Sequence, residues 1–134
     1  MAYISKDEQI LLKIRKYILK LQLLSDRIEH QSDTEIEDGF DGLALTQCVT
    51  NLFELTMKVD DDEISKRLDT LRSGRIARMR NISSHDYDSI NWDIVKKTCH
   101  TVLSSITPKL IDSCLDELAD KKSDVKDYTI SNFS

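Results

Sequence analysis

Glycine and proline are scarce: three glycines and a single proline, Pro108, serve 134 residues. The turn punctuation that an all-β or doubly wound α/β fold requires is therefore nearly missing, and helices become the default. Long apolar runs are also lacking. The richest segment is interrupted by Lys13, Arg15, Lys16 and Lys20, well short of the roughly 18 uninterrupted apolar residues of a membrane span. Lys6, Asp7 and Glu8 break up the first residues, which leaves no apolar core for a secretory signal and suggests a cytoplasmic protein without a membrane partner. Cysteine is sparse as well. Cys48, Cys99 and Cys114 are odd in number and far apart, a pattern that suits reduced core residues better than a disulfide framework or a zinc site. Neither a cofactor nor a metal is expected. The length suits one domain: residues 1–119 read as a helical bundle and residues 120–134 as a polar, frayed tail.

What is present is helical periodicity. Ser5-Lys6-Asp7-Glu8 has the capping-box pattern, followed by Ile10, Ile14, Tyr17, Ile18, Leu21, Leu24 and Ile28 at helical spacing. Leu12, Leu19 and Leu23 form a second stripe on the same helix, the pattern of a bundle helix that also meets a partner; core packing is the other explanation. His30 to Gly42 has little periodic apolar content and reads as a loop. A second helix carries Leu45, Cys48, Val49, Leu52, Phe53 and Val59. The acids Asp60, Asp61 and Asp62 then suit the N-terminus of a third, marked by Ile64, Leu68 and Leu71 and interrupted at Ser73-Gly74. Ile76, Met79 and Ile82 continue a short helical pattern. Trp92, Val95, Cys99, Val102, Leu103 and Ile106 share one stripe, Pro108 breaks the chain, and Leu110 to Leu118 form a short final helix. An all-α, antiparallel bundle of four to five helices is the architecture expected.

Charge is distributed unevenly. The net charge is −5, yet Lys66 to His85 holds Lys66, Arg67, Arg72, Arg75, Arg78 and Arg80 against one acid, Asp69. That stretch is +5 and the remainder −10. Such segregation marks either a solvated helix face or the docking place of an anion on an acidic body. Arg72, Arg75 and Arg78 are candidate contacts for an RNA backbone.

Arg80-Asn81-Ile82-Ser83-Ser84-His85-Asp86-Tyr87 carries the chemistry. Five residues on an ideal helix turn Arg80 and His85 about 140° apart, so they can share a ligand only if the helix ends near Ser83-Ser84 or if two chains build the site. A guanidinium beside an imidazole is what RNA cleavage without a metal asks for. The 2′-hydroxyl must lose a proton as it attacks phosphorus, and the leaving 5′-oxygen must gain one. Histidine can do either near neutral pH, while arginine binds the phosphate and stabilises the charge that grows on it. Asn81 can orient His85 or the phosphate, and the Tyr87 hydroxyl can bond the same phosphate or position the imidazole.

The spacing Arg-polar-x-x-x-His-x-Tyr, late in a helical chain of this length, resembles the signature of the HEPN superfamily and of its HepT-like ribonuclease toxins. By ordinary residue frequencies an Arg, a His and a Tyr at those offsets arise by chance in roughly one chain of this size in a few hundred. The Gly-Glu step common after the second helix of many such chains has no counterpart around Leu55 to Asp60. The resemblance implies a homodimer of small helical bundles, with a cleft shared by the two motifs, that acts as an endoribonuclease independent of metal. It implies as partner a minimal nucleotidyltransferase antitoxin that attaches AMP to the motif tyrosine. By position, Arg80 and His85 become catalytic, Asn81 supporting, and Tyr87 the modified residue. A catalytically silent helical module that binds a nucleotide or a partner protein is the competing reading.

Overall fold

The computed structural model describes residues 4–80 and 90–133, leaving aside the side chains of Arg75, Arg80 and residues 123–133. Seven α-helices and one 3₁₀ turn occupy them: α1 (Lys6–Glu29), α2 (Asp33–Asp38), α3 (Asp41–Thr56), α4 (Asp62–Arg67), the turn Asp69–Arg72, α5 (Gly74–Arg80), α6 (Trp92–Ser105) and α7 (Pro108–Phe133). No strand occurs among the described residues, and the all-α class stands.

The first helix starts where its sequence says it should. Ser5 accepts from the Glu8 backbone N–H while the Glu8 side chain reaches back to the Ser5 N–H, so two otherwise unpaired donors are satisfied. From there Ile10, Leu11, Ile14, Ile18, Leu21 and Ile28 fall on one face and are buried. Side-chain pairs fix the directions of the neighbours. Arg27 pairs with Asp41 and Lys6 with Asp60, so α3 runs antiparallel to α1. Lys96 and His100 lie beside the end of α1, through the Gln31 carbonyl and the Glu29 carboxylate. Asp112 lies beside Arg15 at its middle, and Lys122 beside Glu8 at its start. Helices α6 and α7 thus run in succession along α1, both antiparallel to it.

The break between them is built from Ile106, which leaves helical geometry, and Thr107, whose hydroxyl accepts from the Leu110 N–H. Pro108 occupies the first helical position, where its missing N–H costs nothing and its fixed φ suits the helix. The final helix is longer than the short one expected: with no glycine or proline after Pro108, nothing stops it before Phe133. The segment 30–42 also departs from the loop expected. It contains α2, capped by a second capping box between Ser32 and Glu35, with Ile36 buried.

One core joins these elements, with Trp92, Leu45, Leu52, Ile64, Leu68 and Leu71 among its most enclosed side chains. Trp92 is a core residue, as its stripe suggests, and its indole N–H donates to Glu37 at 3.4 Å. Cys48, Cys99 and Cys114 are free and buried. No described helix is long and apolar enough to cross a membrane.

Candidate active site

The basic stretch begins at a polar junction. As the chain leaves α3, the backbone N–H groups of Asp60 and Asp61 both donate to the carboxylate of Asp7, a buried residue in the first turn of α1, at 2.9 Å each. Asp61 then caps α4, accepting from the Ile64 N–H at 3.1 Å. The Lys121 ammonium, 2.7 Å away, holds the Asp61 carboxyl below its ordinary range, helped by that same Ile64 bond. The acids at 60–62 therefore open a helix as the macrodipole argument expects, and α7 and α1 lock them in place. Arg67 on α4 pairs with Glu117 on α7.

Arg72 departs from the role expected of it. Its guanidinium donates to the Thr56 carbonyl at the end of α3 (3.2 Å), to the Ser65 hydroxyl (3.0 Å) and to the Ser65 carbonyl (2.6 Å), and it pairs with Asp69. Only 19% of its side chain is exposed. The planar fork adds a second partner to two helix-end carbonyls, which also accept from the N–H groups of Val59 and Leu68, and this makes Arg72 a clamp joining α3, α4 and the 3₁₀ turn.

Past the clamp, Ser73 opens α5. Its carbonyl accepts from the Ala77 N–H at 2.9 Å, and its hydroxyl faces the Ile76 N–H at 3.4 Å. Ile76 and Met79 are buried, so α5 is anchored on its inner side against α3 and α6 while Arg78 stays exposed. Arg78 lines an open groove of about 420 Å³ between this segment and α6, together with Thr70, Ser73, Gly74, Thr98 and Thr101. Those threonines carry no sequence pattern of their own, and only the fold brings them beside the arginine. Arg80 closes α5. Asn81, His85 and Tyr87, and the side chains of Arg75 and Arg80, lie outside the described residues. After them come Ile90, packed against the core, and Asn91, which caps α6 by accepting from the Ile94 N–H. The candidate motif is thus flanked by two anchored helices.

Other chemistry-bearing groups are placed away from this region or held inert. Burial pushes the Cys48 thiol up to about 11 and the Cys99 thiol up to about 12, so both stay protonated near neutral pH. His100 pairs with Glu29 at 3.0 Å on the surface, at the far end of α1. Among the described residues no group of three or more His, Cys, Asp or Glu side chains is placed to hold a metal ion.

These features define an all-helical bundle with an arginine-bearing segment of short helices clamped to its frame. A sequence model of the Ribonuclease HepT-like family matches residues 14–113, most of the chain, and the protein belongs to that family within the HEPN superfamily. No curated protein and no solved structure matches it.

Proposed function

We propose that the protein is an endoribonuclease toxin that needs no metal, in which Arg80 and His85 carry the cleavage. The reading rests on one observation above all: the stretch matched to the ribonuclease family, residues 14–113, contains the whole Arg80-to-Tyr87 motif. His85 takes the proton from the ribose 2′-hydroxyl or delivers one to the departing 5′-oxygen. Arg80 binds the scissile phosphate and stabilises its developing charge. A continuous helix would set Arg80 and His85 about 140° apart, so the two meet on one ligand where the helix ends near Ser83-Ser84 or, in the arrangement the resemblance favours, where a second copy of the chain supplies the partner group across a shared cleft. Asn81 and Tyr87 orient the phosphate and the imidazole. Arg75 and Arg78 bind flanking phosphates, whereas Arg72 acts within the protein. A minimal nucleotidyltransferase serves as antitoxin by transferring AMP from ATP to the Tyr87 hydroxyl: the phenol oxygen loses its proton and bonds the α-phosphorus as pyrophosphate leaves, which removes a polar group from the site and adds a bulky anion beside it.

Expression of the unaccompanied wild-type protein is expected to arrest growth, and His85→Ala to relieve the arrest at equal protein level. Equal toxicity of the two would refute the assignment and favour the silent binding module. For the modification, incubation with the nucleotidyltransferase and ATP should add AMP to the wild type and not to Tyr87→Phe, as read by intact mass.

A further inference from the structure

Helix α1 carries an exposed apolar stripe. Leu12, Leu19 and Leu23 are 48%, 44% and 55% exposed, while the same helix buries Ile10, Leu11, Ile14, Ile18, Leu21 and Ile28. At 100° per residue the three leucines centre about 160° from the buried face, so α1 presents a second apolar stripe almost opposite the first. Helices α3, α6 and α7 all pack elsewhere on α1 and leave the stripe uncovered. With Arg15, Lys16 and Lys20 the leucines line a shallow groove of about 510 Å³. Between Gln9 and Asp26 the helix carries Lys13, Arg15, Lys16 and Lys20 and no acid.

We infer that this face docks a partner protein through an amphipathic helix whose apolar stripe is flanked by aspartate or glutamate. The leucines span three helical turns, about 16 Å, which matches a helix laid along a groove. The cationic flanks select the partner's charge. Arg15 is paired with Asp112, but a second copy of α1 packed on the first would still set Lys16 and Lys20 against the same lysines, a like-charge contact with no acid on that stretch to relieve it. A phosphate backbone would gain from the cations and nothing from three leucines. An anionic membrane would attract the lysines, but the whole chain carries −5, and the stripe lacks the aromatic residues of an interfacial anchor. An acidic amphipathic helix satisfies both the leucines and the cations.

The test uses the full chain and two synthetic helical peptides with the same leucine stripe, one flanked by glutamate and one by lysine, with binding followed by fluorescence anisotropy. The glutamate peptide should bind, and more weakly as salt rises. The double variant Lys16→Glu/Lys20→Glu, both surface changes, should lose about tenfold for that peptide and gain the lysine peptide instead. Leu19→Gln/Leu23→Gln should weaken binding of the glutamate peptide to a similar degree with an unchanged circular dichroism spectrum. Three results would overturn the inference: equal or absent binding of the two peptides by the folded protein, binding only to vesicles of phosphatidylcholine and phosphatidylglycerol, or a homodimer in light scattering that Leu19→Gln/Leu23→Gln dissociates.

Discussion

The long helices and the stretch from Asp62 to Arg80 are held by different forces. In α1, α3, α6 and α7, apolar side chains repeat at helical spacing and interlock over many turns, so burial does most to set where each helix lies, with surface ion pairs along α1 beside it. The stretch between them has only short elements. Each buries one or two apolar residues, such as Ile64, Leu68, Leu71 and Ile76, and its position depends on directed polar contacts: Asp7 on two backbone donors, Arg72 on two helix-end carbonyls, Asp61 on Lys121. The comparison teaches that the frame tolerates no loss of volume, whereas the arginine-bearing segment depends on particular donors and acceptors.

The largest expected effect is on the frame. Leu21→Ala removes a fully enclosed side chain and should lower unfolding free energy by roughly 2–5 kcal/mol in chemical denaturation. Next come the clamps. Asp7→Ala strands two backbone donors, and Arg72→Ala removes the charged donors that tie Thr56 to Ser65, although both carbonyls keep a backbone partner, the N–H of Val59 and of Leu68; each should cost about 1–3 kcal/mol. Arg72→Lys should recover only part of that loss, because an ammonium cannot match a planar fork. If Arg72→Ala kept full stability and lowered RNA affinity instead, the contrast between Arg72 and Arg78 would collapse.

A smaller effect concerns pH. The Asp61 carboxyl titrates lower in the folded protein than in the unfolded chain, so its stabilisation is present above the unfolded carboxylate pKa and is lost as pH falls through the folded value. Asp61→Asn preserves an N-cap acceptor and removes the charge. It should cost under about 1 kcal/mol at pH 7, and its deficit should vanish at acid pH, where the wild-type carboxyl is neutral too. The smallest effect on stability is Arg78→Gln, within about 0.5 kcal/mol, since the side chain is exposed. Its signature is elsewhere. The salt dependence of binding to single-stranded RNA should fall by about 0.7 in logarithmic slope.

Much of the frame is legible in the sequence because its signals are local and repeat. Ser5 and Glu8 announce α1, three acids announce α4, and Pro108 marks the seam between α6 and α7. The same capping-box spacing, Ser32 to Glu35, opens α2, but with a single buried apolar residue behind it the periodicity is too weak to register. The clamps are illegible for another reason. Arg72 looks like one cation in a basic run, and the carbonyl it bonds on Thr56 is sixteen residues away. Asp7 meets Asp60 and Asp61 across more than fifty. Only tertiary structure brings such partners together. The chemistry of the motif is read from Arg80, Asn81, His85 and Tyr87 by residue type and spacing, while residues 81–89 lie outside the described structure.

The most direct measurement is cleavage of single-stranded RNA by purified protein in excess EDTA, with product ends identified by mass spectrometry. Attack by the 2′-hydroxyl predicts 2′,3′-cyclic phosphate and 5′-hydroxyl ends from the wild type, and loss of cleavage in both Arg80→Ala and His85→Ala variants that keep wild-type thermal stability. Undiminished cleavage by the folded His85→Ala protein, or cleavage that appears only when a divalent cation is restored, would contradict it.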